Sequence, residues 1–157
     1  VSTTVPSHTD VETVERVIPA APEKIFDLLA DPTRHHDIDG SGIVREAKEA
    51  PSRLSLGSTF GMSMKLGVSY SMSNTVIEFE ENRRIAWQTR GAGSFGSKFG
   101  GRIWRYELEP VEGGTLVRET WDISQEGLKF LVRPSRNKTR KSMEQTLERI
   151  EELVTAT

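Results

Sequence analysis

The 157-residue chain contains no cysteine. Disulfides, thiolate nucleophiles and zinc–sulfur sites are therefore excluded. No apolar run approaches the roughly 18 residues that would span a bilayer, and no stretch reads as a signal peptide. The expectation is a cytoplasmic protein without membrane insertion. A net charge of −2 and a pI near 6.0 argue against nucleic acid as a partner. Neither G-x-S-x-G, H-E-x-x-H nor a P-loop occurs, so no nucleophile elbow, zinc-protease helix or phosphate cradle is announced. Histidine is scarce, with three residues in all.

What is present is ordinary for a soluble globule, with 35% hydrophobic and 28% charged residues. Residues 1–10, VSTTVPSHTD, are polar and patternless and read as a disordered tail that includes His8. Residues 11–157 read as one domain. Its most telling stretch is 17–42, VIPAAPEKIFDLLADPTRHHDIDGSG. A first strand over 11–18 gives way to a helix opened by Pro22, with Glu23 at its positive end and Ile25, Phe26, Leu28 and Leu29 as its buried stripe. Asp31 suits an N-cap with Pro32 at N1, which predicts a second short helix over about 32–38. Gly40 and Gly42 then release the chain into strands that continue to about residue 125.

Period-two alternation dominates these strands. Phe60, Met62, Met64 and Leu66 share one face, with Ser63 and Lys65 on the other. A two-residue turn at Gly113-Gly114 would set Leu108 against Glu119, Tyr106 against Trp121 and Trp104 against Ile123. On the opposite face it would pair Glu109 with Arg118 and Arg105 with Asp122. A turn at Glu81-Asn82-Arg83 places Phe79 beside Ile85 and Ile77 beside Trp87. Continuing that parity turns Ser71, Ser73 and Thr75 inward, whereas Tyr70 and Met72 imply the reverse. A bulge near Val76-Ile77 would reconcile the two readings. The last helix, from about Pro134 to Val154, carries Met143, Leu147, Ile150 and Val154 as one apolar stripe. The whole predicts an α+β fold: a seven-stranded curved antiparallel sheet wrapped around a long C-terminal helix, with two short helices between strands 1 and 2. Core and cavity wall would then share one surface.

Gly91-Ala92-Gly93-Ser94-Phe95-Gly96 matches G-x-G-x-x-G, but a strand rather than a helix follows from Arg102. A glycine-rich hairpin loop at a cavity rim, able to act as a lid, fits better than a nucleotide site. His35, His36, Asp37 and Asp39 resemble metal ligands, yet adjacent helical histidines diverge by about 100°. His35 and Asp39 alone do not complete a site, so no metal or other cofactor is expected. A hydrogen-bonded or solvent-facing histidine pair at the cavity entrance is the favoured reading, with His35 open as a general base. Glu119 is expected to face inward, either in a structural ion pair with Arg16 or as a ligand-anchoring or acid–base group of raised pKa. Arg102 also faces inward, roughly 20 Å from Glu119 at strand rise. Lys129, Arg133, Arg136, Lys138, Arg140 and Lys141 form a basic run, read as a solvated face or as a docking patch for an anionic partner.

Residues 17–30 with Asp31-Pro32-Thr33-Arg34-His35, then 83–87 (RRIAW), 104–110 (WRYELEP) and 117–122 (VRETWD), resemble the START-like helix-grip superfamily. That group includes polyketide cyclases and Bet v 1-type allergens, and the resemblance is strongest to bacterial polyketide cyclase/dehydrase-type proteins over about 11–155. Many relatives carry a tryptophan after the Asp-Pro helix, where this chain has Ile38. The resemblance implies a cavity for lipids, polyketides or aromatic compounds, and no cyclase's catalytic set maps residue by residue onto this chain. Three functions stay open. The first is binding of a small apolar or aromatic molecule by Phe26, Ile38, Met62, Met64, Trp87, Arg102, Trp104, Tyr106, Glu119, Trp121 and Met143. The second is a polyketide cyclase or aromatase using Glu119 or His35, its acyl carrier protein docking on the basic run. The third is a protein-interaction module. Besides a carrier protein, the other macromolecular partner left open is a second copy of the chain, in a homodimer.

Overall fold

The structure, a computed structural model, describes residues 10–48, 50–66, 68–91 and 99–156. The elements are β1 (Val11–Ile18), α1 (Pro22–Leu29), α2 (His35–Ile38), β2 (Val44–Lys48), β3 (Thr59–Leu66), β4 (Val68–Glu80), β5 (Arg84–Gly91), β6 (Gly100–Val111), β7 (Gly114–Asp122), α3 (Lys129–Val132) and α4 (Arg136–Thr155). The strands form one seven-stranded antiparallel sheet in the order β1-β7-β6-β5-β4-β3-β2. The first strand thus lies beside the last, and the sheet curls around α4 as a helix-grip. Among the described residues no helix is long and apolar enough to cross a membrane.

The opening segment folds as its residues require. Pro22 occupies the first helical turn of α1 with Glu23 beside it, and Ile25, Phe26, Leu28 and Leu29 are buried. Each such side chain contributes about 1.5–3 kcal/mol by leaving water. The Asp31 carboxylate accepts from the Thr33 N–H at 3.0 Å and the Thr33 hydroxyl at 2.6 Å, capping a 3-10 turn over Pro32–Arg34 that runs directly into α2. Gly40 then packs against α4. A Cβ there would lie 2.1 Å from the Ser142 carbonyl oxygen.

The β6–β7 register differs from the expected one by two residues. Tyr106 lies opposite Glu119, Trp104 opposite Trp121 and Leu108 opposite Val117, with Val111 paired to Gly114 at the end of the ladder. Gly114 does not serve in the turn, because it is pressed against β1. At φ 144°, any Cβ it carried would sit 2.0 Å from the Ile18 carbonyl oxygen. A slip of two keeps every side chain on its expected face. The partners on the outer face change: Arg118 lies opposite Glu107 and bonds Glu15 at 2.7 Å, while Arg105 bonds Glu78 on β4 at 3.0 Å. The outer face is charged as expected, through pairs other than Glu109–Arg118 and Arg105–Asp122.

On β4 the ladder breaks between Val76 and Glu78. Val76 opposes Trp87, Glu78 opposes Ala86, and Phe79 opposes Ile85. Ile77 is the extra residue of this bulge and is exposed, so it does not face Trp87. The bulge resets the parity, which brings Tyr70, Met72 and Asn74 to the concave side and turns Ser71, Ser73 and Thr75 away.

Helix α4 buries Met143, Leu147, Ile150 and Val154 as the stripe predicts, together with Thr146. The basic run is largely neutralised within the fold. Asp10, itself buried, takes Arg133 at 3.1 Å and Lys129 at 3.6 Å, while Glu12 takes Arg136 and Arg140. The acids that the run lacks in sequence therefore come from the start of β1. Residues 1–9, including His8, and residues 92–98, which hold the proposed lid, lie outside the described residues. The strand β6 follows the glycine-rich segment, as the sequence indicates.

Candidate ligand cavity

The curled sheet does not close tightly on α4. A cavity of about 380 Å³ lies between the concave face, the α2 segment and the first half of α4. Its aromatic floor is Trp87, Trp104, Tyr106 and Trp121, adjacent on β5, β6 and β7 through the register above. Met62, Met64 and Met72 with Phe60 and Tyr70 form one side, and Ile38 and Met143 close the roof. Of the residues expected to line it, only Phe26 does not. Phe26 stands edge-on to Phe79 with ring centres 5.4 Å apart, beneath the Arg53 guanidinium, because its face of α1 meets the far end of β4.

Glu119 faces inward and is almost fully buried. The Tyr106 hydroxyl donates to its Oε1 at 2.8 Å, and Oε2 has no hydrogen-bond partner among the described residues. Burial raises the Glu119 pKa to about 8; the Tyr106 hydrogen bond opposes the rise and the negative charge of Asp39 adds to it. The expected partner Arg16 is engaged elsewhere. It shares the inward parity of Val14, which lies opposite Glu119, but its guanidinium bonds Glu151 on α4 at 3.0 Å. Arg102 lines the cavity at its other end, four residues from Tyr106 and so about 13 Å away at strand rise. There it pairs with buried Glu126 at 3.5 Å.

His35 is not at the rim but inside the wall. It is buried, stacked on Trp87 with ring centres 4.8 Å apart, and its Nε2 donates to the Leu29 carbonyl at 2.9 Å. Desolvation holds its pKa below the ordinary value, against the pull of the Leu29 hydrogen bond and Asp31. His36 is exposed and pairs with Asp37 at 3.0 Å. The adjacent histidines thus diverge, as helical geometry requires. Among the described residues no group of three or more His, Cys, Asp or Glu could hold a metal.

Sequence reasoning missed the polar part of the lining. Asn74 and Thr89 sit side by side, the Thr89 hydroxyl donating to Asn74 Oδ1 at 2.6 Å and Asn74 Nδ2 to the Phe60 carbonyl at 3.4 Å. Their facing depends on the bulge. From α4 come Lys138, Ser142 and Thr146, and the Thr146 hydroxyl accepts the Gly40 N–H at 2.9 Å while donating to the Ser142 carbonyl at 3.0 Å. Thr146 lies beside Leu147 and one turn from Met143, so the helical period is the signal that would have found it.

A seven-stranded sheet curled around α4 over an aromatic-floored cavity defines a helix-grip protein. The chain belongs to the polyketide cyclase/dehydrase and lipid transport family, whose profile its residues 10–155 match. It is 36% identical over 124 residues to the uncharacterized protein Rv0088 of Mycobacterium tuberculosis, an alignment covering 74% of this chain and 50% of that protein. The chain therefore spans about half the length of the curated relatives it matches. Among solved structures it is similar to a protein from Arthrobacter aurescens, with TM-score 0.74, 13% identity, and coverage of 100% of this chain and 94% of the other. It is also similar to the Aha1 dimer from Colwellia psychrerythraea, with TM-score 0.64, 19% identity, and coverage of 93% and 96%. At these identities the structures share the fold.

Proposed function

We propose that this protein binds one small apolar or aromatic molecule in the cavity between its sheet and α4, in keeping with its family. The observation that carries this reading is the cavity itself, about 380 Å³ walled by three tryptophans, two tyrosines and four methionines. A pocket of that volume suits a ligand of drug-like size, with dispersion and apolar burial as the main attraction. Ile38, Met62, Met64, Trp87, Arg102, Trp104, Tyr106, Glu119, Trp121 and Met143 are its proposed contacts. A cytoplasmic location is part of the same proposal. Native mass spectrometry of the protein as expressed, followed by titration with a neutral solvatochromic dye, tests it. The expected result is a co-purified small molecule or a dye that binds one-to-one and quenches tryptophan emission. Absence of both a bound molecule and any dye uptake would sink the reading.

The second reading is a polyketide cyclase or aromatase. It is favoured by one observation, a buried acid hydrogen-bonded to a tyrosine within the cavity, where a proton could be passed to a folded substrate. Glu119→Gln would then abolish turnover of a polyketide-like substrate while leaving its binding in place; unchanged turnover would count against it. Docking of an acidic carrier protein on the 129–141 run gains little support, because Lys129, Arg133, Arg136 and Arg140 are occupied by Asp10 and Glu12.

A further inference from the structure

Glu119 is costly where it stands. One carboxyl oxygen is satisfied by Tyr106, and the other is buried without a partner among the described residues. Ionised, it is a buried charge with one hydrogen bond and no partner cation among the described residues, so the fold's own stability does not call for a carboxylate there. Among the described residues no cation pairs with it. From β1, Arg16 is turned to Glu151; from β6, Arg102 is turned to Glu126; Lys138 on α4 forms no hydrogen bond or ion pair with Glu119 among the described residues. Among the described residues the other titratable groups that line the cavity are Tyr106 from β6, Tyr70 from β4, His35 from α2 and Asp39 after α2. His35 is kept neutral by burial, and the charge felt at Glu119 is that of Asp39, a second acid. The remaining neighbours are rings: Trp121 follows two residues along β7, Trp104 opposes Trp121, and Trp87 lies 5.7 Å from Tyr106. Indole faces are the best aromatic partners of a positive charge. An acid without a cation partner among the described residues, a second acid in its field and a floor of indoles all favour one kind of guest.

We propose that the cavity selects an aromatic compound carrying a single basic nitrogen, whose ammonium group seats against the Glu119 carboxylate among Trp104, Trp121 and Tyr106. The inference rests on the binding reading above and names the ligand class for that same site. Its proton balance is explicit. In the empty cavity at neutral pH the acid is mostly protonated, with a pKa of about 8. The incoming ammonium therefore displaces the carboxyl proton to solvent and completes an ion pair, and no other bond changes.

The test uses a matched pair, 1-naphthylmethylamine and 1-naphthylmethanol, each competing with the neutral dye on the whole chain. At pH 8 the amine should displace the dye at about tenfold or more lower concentration than the alcohol. Below pH 7 that preference should shrink about tenfold per pH unit, as the acid must first lose its proton. Calorimetry in two buffers of different ionisation enthalpy should show close to one proton released per amine bound at pH 6.5, and none for the alcohol. Glu119→Gln should erase the preference while alcohol binding persists. Equal displacement by both probes, or a preference for the alcohol (a carbonyl or hydroxyl taking the acid's proton as a hydrogen bond), would overturn the inference and leave the binding reading standing. Failure of dye, amine and alcohol alike would overturn both.

Discussion

The imidazole of His35 lies almost parallel to the indole of Trp87, with ring centres 4.8 Å and planes 19° apart, and its Nε2–H is spent on the Leu29 carbonyl. One residue thus joins the end of α1, the start of α2 and the cavity floor. It cannot act as a base through Nε2, which already carries its proton to a carbonyl.

His35 gives an acid-side limit to stability. Its folded pKa is lowered by burial, so the unfolded chain takes up a proton near pH 6.5 that the folded chain refuses. Stability from this source is full above that pH and is lost as pH falls through the folded value. His35→Gln should cost about 1–3 kcal/mol at pH 7.5 through the lost stack and hydrogen bond. The deficit relative to the wild type should narrow at pH 5. Urea unfolding at the two pH values measures this, and a pH-independent deficit would contradict it.

Glu119 acts in the opposite direction. Its folded pKa is raised to about 8 from an ordinary 4.5, so the favourable contribution present at low pH is lost as pH rises between these values. Relative to Glu119→Gln, the wild type should lose on the order of 3–5 kcal/mol between pH 4.5 and pH 8.5. Denaturation of both proteins across that range checks it, and parallel curves would refute it. Tyr106→Phe removes the hydrogen bond that holds this pKa down, and should move the Glu119 titration further upward in an NMR or infrared titration of the carboxyl.

Gly40 fixes the α2 segment on α4. An added Cβ would fall 2.1 Å from the Ser142 carbonyl oxygen and 2.8 Å from Gln145 Cβ, mostly against helix atoms that cannot yield. Gly40→Ala should therefore cost about 2–3 kcal/mol by overpacking and loosen the cavity roof that Ile38 and Met143 form. A thermal melt with unchanged midpoint would show that the segment moves aside freely.

Glu12 anchors the start of α4. Burial would raise its carboxyl, but Arg136 and Arg140 more than offset this and hold it below the ordinary value. Its stabilising contribution is present above pH 4.5 and is lost as pH falls through the lowered folded value. Glu12→Gln should reduce stability at neutral pH, with the difference shrinking at pH 3 and in high salt. Hydrogen exchange confined to 133–142 would report the release of the helix end.

Much of this architecture was legible because it rests on local chemistry. Pro22, Asp31-Pro32 and the stripe Met143-Leu147-Ile150-Val154 set helix starts and faces through geometry spanning a turn or two. Period-two alternation put Trp104, Tyr106, Glu119 and Trp121 on one face, and a register slip of two residues left that face intact. The exact cross-strand partners were less legible. Gly113 and Gly114 look alike as turn residues, and only the press of Gly114 on Ile18 tells them apart. The facing of Tyr70, Met72 and Asn74 likewise waited on where the β4 bulge fell.

The sequence by itself therefore determined the order of elements, the inward face of the sheet and the aromatic and methionine character of its lining, since each follows from the period of a backbone and its end signals. Only the tertiary structure decided which charges meet. Arg16 shares a face with Glu119 yet reaches Glu151, the basic run finds Asp10 and Glu12 across the whole length of the chain, and His35 turns inward onto Trp87. Long side chains pair with whatever the fold brings within a few ångströms, and strand parity does not encode that distance. The same distances leave Glu119 Oε2 without a hydrogen-bond partner among the described residues.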